Sequence, residues 1–328
     1  MTKEEEQFYS KKFNFSYSSL NKLLFLPSLF YKEYVLLEKE VKTEKHLIEG
    51  RLIHLLLLQP EKFNEQYVVV PSKMPSDSVI KVLIQVKNDS KVTEPCSLKK
   101  LDSFILKALI DQNLHQSLKE DSKRLEKVQT SDCQEYFDFL CTESKEIIDS
   151  ALHERAKSAV EILKQNEEIM KLFFDNKTTD FELDNFESFN EQYLQADLKD
   201  YPFGLHGYID RYVIDHNAKE LIIVDFKTTN KTISDFAETV DFYKYWLQAC
   251  IYVNLVLKNV DEKVKEYSIN VKFVVIDKYD QVYVFPVSDE SLAMWTQGLK
   301  QSLDTAKYHY DNKDFTLPYN FALGNVTL

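Results

Sequence analysis

The sequence predicts an α/β chain of the α+β kind: a mixed central sheet flanked by helices, with a helical insertion. Three observations lead there. Helical spacing dominates up to about residue 175. The period then changes, and residues 188–198, 203–214 and 220–227 read as three consecutive strands with short connections. A helix at about 240–258 precedes two more strands, 268–277 and 281–287, and sheets built in that order are covered by helices.

The elements follow in order. "FSYSSLNKLLFLPSLFYKEYV" predicts a capped helix from near Ser18 or Ser19, stopped or bent around Pro27 and then resumed. Residues 44–58, "EKHLIEGRLIHLLLL", predict a second helix ending before Pro60, and 64–71 a short strand or extended exit. The polar segment 72–100, with Pro75 and Pro95, reads as a loop-rich connection, and 101–175 as helical almost throughout. Ile147, Ile148, Ala151, Leu152, Ala156, Ala159, Val160 and Leu163 carry that spacing. Strands 203–214 and 220–227 are expected to be antiparallel neighbours. Asp-Lys-Tyr-Asp separates the last two strands, a final helix covers 289–311, and the tail reads as irregular. The whole is expected to be one domain, 1–328, with a loop-rich and helical insertion at about 76–145.

Composition narrows the function. An apolar fraction of 44% supplies a sizeable core, so disorder is not expected. Five glycines leave no Gly-rich phosphate loop, which excludes the common nucleotide-binding patterns. Acidic residues outnumber basic ones 53 to 41, so any nucleic-acid contact must be local. Cys96, Cys133, Cys141 and Cys250 form no CxxC pair and read as reduced residues of a cytoplasmic protein. The charged N-terminus has no apolar signal core, and no apolar run is long enough to span a membrane.

The chemistry gathers around "LIIVDFKTT", Leu221 to Thr229. Alternation sends Asp225 and Lys227 to one face and Val224 and Phe226 into packing. Asp210, on the preceding strand, can meet Asp225 at one sheet edge, where the strand would expose the charged pair. Two such carboxylates repel unless a cation sits between them, and hard oxygen donors select Mg²⁺ or Mn²⁺. A D-x-K pair alone is commonly a surface ion pair, and Asp210 alone could partner Arg211. The combination carries the reading. His206 lies on Asp210's face as a possible neighbour of the site.

"GYID…IIVDFKT" resembles the active-site signature of the PD-(D/E)XK nuclease superfamily, and more narrowly the RecB-like and RecE-type exonucleases of phage recombination. "GRLIH", Gly50 to His54, resembles that branch's GxxxH motif, and "QACIY", Gln248 to Tyr252, its QxxxY motif; spacing of i, i+4 puts each pair on one helical face. "SYSSLNKLLFLPSLFYKEY" resembles the segment that opens RecE-type catalytic domains. Glu191 fits an additional family carboxylate, with Glu187 nearby. The resemblance spans roughly 13–75 and 145–311, and 76–145 matches nothing.

The resemblance implies a restriction-endonuclease-like core and phosphodiester hydrolysis. One or two Mg²⁺ or Mn²⁺ ions would be held by His54, Asp210, Asp225 and the backbone carbonyl of Phe226. Lys227 would orient the attacking water, Glu191 would act through water, and Gln248 and Tyr252 would support the site. No iron-sulfur cluster is implied. It further implies a 5′-to-3′ exonuclease of linear duplex DNA, a homo-oligomer working with a single-strand annealing protein. A structure-selective or defence endonuclease and a non-catalytic DNA-binding scaffold are the alternatives. Lys119, Lys123, Arg124 and Lys127 could line a DNA path or form a solvated helix face.

Overall fold

The computed structural model describes residues 2–39, 45–142, 145–173 and 185–327. It divides into two compact units, one of residues 1–50 with 159–328, the other of residues 51–158. Strands β1 (Asn14–Phe15), β2 (Tyr67–Val69), β3 (Glu146–Ile148) and β4 (Phe186–Asp197) come first in the chain. They are followed by β5 (Gly204–Asp215), β6 (Glu220–Thr229), β7 (Ser268–Asp277) and β8 (Val282–Pro286). The longer helices begin with α1 (Lys3–Ser10), α2 (Tyr17–Phe25), α3 (Lys45–Leu58), α4 (Asp77–Ser90) and α5 (Asp102–Asp111). After them come α6 (Ser131–Leu140), α7 (Ser150–Lys164), α8 (Phe236–Tyr243), α9 (Tyr245–Asn259) and α10 (Asp289–Asn312).

The first unit is built on a six-stranded mixed sheet of order β1-β5-β6-β7-β8, with β4 also on β5. β4 lies antiparallel along the whole of β5, from Phe186↔Asp215 to Asp197↔Gly204. β6 is antiparallel to β5 only over Arg211↔Val224 to Asp215↔Glu220, while β1 runs parallel to β5 at Asn14↔Gly204 and Phe15↔Leu205. Since β4 fills one edge of β5, β1 and β6 share the other, and β5 residues 206–210 lie between them unladdered. β6 continues along β7 to Thr229↔Asp277. The sheet therefore splits where β6 leaves β5. Leu221, Ile223 and Val224 fill β6 with apolar and β-branched residues that bury fully.

Helices cover this sheet through one apolar core. Leu20 and Leu23 of α2, Leu247, Ile251 and Leu255 of α9, and Leu303 and Ala306 of α10 all pack into it. Ser16, two or three residues before the predicted start, caps α2: its hydroxyl accepts from Ser19 N–H at 3.2 Å, and Ser19's hydroxyl accepts from Ser16 N–H at 2.8 Å. Leu26 is extended at φ −152°, and Pro27 opens the next short helix, where its missing N–H costs nothing. The helix expected at 240–258 is broken in two: α8 starts at Phe236, and Lys244, at φ 55°, separates it from α9. Tyr17's hydroxyl and Asn21's amide donate to the Tyr243 carbonyl at 2.6 and 3.2 Å, holding the backbone at the break.

The second unit has its own core and a parallel pair, β2 with β3. Val79, Val82, Leu83 and Val86 of α4 pack with Ile105 and Leu109 of α5 and Phe137 of α6. α4 corrects the loop-rich reading of 72–100. Its buried residues recur at i, i+3, i+4 and i+7, and the flanking prolines bound the helix instead of excluding it. β3 interrupts the stretch read as helical almost throughout. Three residues acquire strand form there through pairing with β2. Lys123 and Arg124 meet Glu120 and Asp121 at 2.8 and 3.1 Å, three residues back, which favours the solvated-face reading of the basic cluster. In the first unit, the tail read as irregular carries one helical turn, Tyr319–Ala322. Residue 44 and residues 174–175 of the predicted helices, and 143–144 of the expected insertion, lie outside the described residues. Among the described residues, no helix is long and apolar enough to cross a membrane.

Gly50 on α3 faces β6 closely, since an added Cβ would lie 2.7 Å from Thr228 Oγ1. Alanine there gains about 1 kcal/mol of helix propensity but meets an overpacking cost of about 1–3 kcal/mol. Gly50→Ala is expected to destabilise the chain alone and to become neutral or stabilising in a Thr228→Ala background. Urea unfolding of the four proteins checks it, and equal effects in both backgrounds refute it.

Candidate active site

The split between β5 and β6 places the functional side chains. Extending the β5–β6 register by one pair sets Asp210 opposite Asp225. On the other edge of β5, the pairs Asn190↔Arg211 and Gln192↔Ile209 flank Glu191 and set it opposite the same Asp210. Glu191, Asp210 and Asp225 thus form a row across three neighbouring strands. Glu187, the nearby competitor, pairs with Ile214 and holds His216 Nε2 at 2.8 Å, further along β4. Alternation turns Arg211 to the opposite face, where it is buried and its guanidinium donates to Asn190 Oδ1 at 2.8 Å and to the Leu172 carbonyl.

Glu191 breaks the regularity of β4. Its φ is +48°, a left-handed conformation that costs a residue with a Cβ about 1 kcal/mol or more. Its carboxylate comes within 4.8 Å of Asp210's. Asp210 is 6% exposed, and its Oδ2 accepts the Phe226 N–H at 2.8 Å, so the carboxylate receives a backbone donor at the point where the ladder ends.

The expectation that β6 exposes its charged pair is corrected here. Asp225 is fully buried, and Lys227 reaches it with Nζ at 2.7 Å while its own side chain is only 14% exposed. Side chains stand out from the plane of a sheet, and on this face α9 meets the pair: the Tyr245 ring lies 4.8 Å from Lys227 Nζ, and the Asp225 charge acts on the buried Tyr252. Burial pushes the Asp225 carboxyl up; Lys227 pulls it back, and the Asp210 charge adds to the rise. Burial works against the Lys227 ammonium, but Asp225 and Asp210 outweigh it and hold the amine above its ordinary value. Lys227 therefore stays charged.

Helix α9 brings Gln248 and Tyr252 to the same place. Both are buried, and Gln248 Nε2 donates to the Tyr252 hydroxyl at 2.6 Å. Burial, then the charges of Asp210 and Asp225, push Tyr252 well above its ordinary value, so it remains a neutral hydroxyl with a proton to donate. His206 is half-buried beside Tyr193, ring centroids 5.9 Å apart, and burial lowers its pKa, which keeps the ring neutral. His54 lies in the second unit, half-buried on α3, one turn beyond Gly50.

Sequence reasoning missed two aromatic residues. Lys227 Nζ lies 4.8 Å from the centre of the Tyr245 ring, a cation–π contact, and Tyr17 stands 6.5 Å from that ring. Nothing in the local pattern marks either, since the break at Lys244 is what aims Tyr245 at Lys227.

The donor set suits a hard divalent cation. Glu191, Asp210 and Asp225 supply carboxylate oxygens against one ammonium, leaving a negative excess in a buried place. In the metal-free protein, the raised Asp225 pKa means the native state keeps its proton to higher pH than the unfolded chain does. That contribution to stability is complete below the ordinary carboxylate range and is lost as pH rises through the raised value. Asp225→Asn is expected to flatten the fall. Thermal midpoints between about pH 4 and about pH 8 in chelator measure it, and an unchanged slope refutes it.

A family model described as the PD-(D/E)XK nuclease superfamily matches residues 100–315. The match holds Glu191, Asp210, Asp225, Lys227, Gln248 and Tyr252, begins beyond Gly50 and His54, and takes in part of the segment that resembled nothing. A solved structure of a presumed exonuclease from Eubacterium rectale is similar over 92% of this chain and 85% of that one, at 12% identity and a TM-score of 0.44. No curated protein matches.

Proposed function

From its membership in the PD-(D/E)XK nuclease superfamily, to which this chain belongs, we propose a metal-dependent exonuclease that hydrolyses phosphodiester bonds of linear duplex DNA. The observation that carries hydrolysis is the row Glu191, Asp210, Asp225 across three strands, with Lys227 held charged against Asp225. The motifs "GRLIH" and "QACIY", similar to those of RecE-type exonucleases, support the narrower reading. A 5′-to-3′ direction, a homo-oligomer and a single-strand annealing partner belong to that reading.

Asp210, Asp225 and Glu191 would hold Mg²⁺ or Mn²⁺, with the Phe226 carbonyl and His54 added on their motifs. A cation bound there supplies a Lewis acid for the phosphate and a lowered pKa for water. The chain's own groups do the rest. Lys227 places a fixed positive charge where negative charge builds on the phosphate as water attacks and the 3′ oxygen leaves. The Tyr245 ring beneath the ammonium helps keep it in place. Tyr252, fixed by Gln248, offers a neutral hydroxyl among the carboxylates. Asp210 ties β6 to β5 through the Phe226 N–H, which limits drift between the two carboxylate-bearing strands.

A complete set of charged groups in one place argues against a non-catalytic scaffold. The test is Mg²⁺-dependent degradation of an end-labelled linear duplex beside a closed circle. Loss of the linear form alone is expected, with Asp225→Ala and Lys227→Ala each slowing it by about a hundredfold or more. Full activity in either variant refutes the site. Cutting of the circle would instead establish an endonuclease.

A further inference from the structure

Beside the site, the broken helix turns a run of aromatic rings outward. Phe242 is 73% exposed and Tyr243 46%. Their ring centroids lie 4.9 Å apart, and Tyr243 stacks on Tyr245 at 5.6 Å with 24° between the planes. Tyr245 in turn carries Lys227 at 4.8 Å. At the outer end, Lys231 Nζ sits 5.7 Å from the centre of the Phe242 ring. Three rings therefore run from the ammonium of the candidate site to solvent, with a lysine at each end.

We propose that Phe242, Tyr243 and Tyr245 form a base-stacking track that holds an unpaired DNA strand beside Lys227, so that the strand to be cut is single-stranded where it reaches the site. This rests on the nuclease reading and names the form in which the site takes its substrate. Aromatic faces flanked by cations match what an unpaired strand offers, π faces joined by phosphates. A duplex keeps all but its terminal base faces in its own stack, so successive bases cannot use such rings. The track is continuous with the site, so its occupant is the strand that the site handles.

The backbone also argues for a built feature. Lys244 holds a left-handed conformation, φ 55° and ψ 45°, which is costly for a side chain with a Cβ. Two side chains of α2, Tyr17 and Asn21, secure the Tyr243 carbonyl and keep the turn in that form. Phe242 is thereby presented from a fixed turn.

The experiment measures binding of a labelled single-stranded oligonucleotide and of the matching blunt duplex, in chelator so that nothing is cut. A 2-aminopurine base in the single strand reports stacking. Phe242→Ala and Phe242→Leu are expected to weaken single-strand binding roughly tenfold, to leave duplex binding within about twofold and to abolish the 2-aminopurine quench, with Phe242→Trp restoring both. Unchanged single-strand affinity and quench would overturn the track. So would equal losses on both DNAs, or a changed oligomeric state in light scattering with single-strand binding intact. Wild-type cleavage is assayed in parallel with Mg²⁺. Cleavage without a stacking effect removes the track alone, whereas absent cleavage strikes the nuclease reading while the quench still reports on the track.

Discussion

The mutual repulsion of buried carboxylates is the constraint that the first unit is organised around. Asp225 has no exposure and faces Asp210 across the sheet, with Glu191 on the next strand. Like charges in a low-dielectric place raise one another's pKa unless positive groups are fixed among them. The fold answers with Lys227 two residues on and with the Phe226 N–H, both delivered by β6 itself. Such answers hold only if β6 cannot move, and its full-length parallel pairing with β7 supplies the rigidity. The parting of β5 and β6 then leaves space between strands that stay anchored on their outer sides.

Other parts of the unit serve the same arrangement at some loss of regularity. Glu191, itself one of the charged cluster, accepts a left-handed backbone, and so does Lys244, next to the Tyr245 that meets Lys227. Local rules are broken in natural chains mainly where function requires it, and compensations lie nearby. Here the compensation for Lys244 is visible in the hydroxyl of Tyr17 and the amide of Asn21.

The sheet was legible in the sequence because a period of two is a strong local signal. "GYIDRYVI" and "LIIVDFKTT" fix which side chains share a face, and the short turn between them fixes the antiparallel pairing that sets Asp210 against Asp225. Burial of the pair was not legible, since it depends on α9, a distant helix whose Tyr245 packs against Lys227. α4 was hidden by the prolines on either side of it, although its own apolar spacing is regular. β1 and β3 consist of two and three residues that become strands only by pairing with distant ones. The break at Lys244 had no local mark either, because apolar helical spacing continues through it and the groups that stabilise it come from α2.

The pairing of β1 with β5 has a consequence for how the chain assembles. Asn14 and Phe15 must find Gly204 and Leu205, about 190 residues later in the sequence. Closing so long a loop is entropically costly before any contact rewards it, and high contact order slows folding. During synthesis, the second unit emerges complete while the N-terminal strand still lacks its partner. It has an apolar core of its own, from Val79 to Cys141, which can form first. Phe8, Phe15 and Phe30, which end in the core of the first unit, remain without the sheet they cover until β5 and β6 have been made. During that interval the exposed rings are open to contact with other chains, the usual route to aggregation of slowly folding proteins.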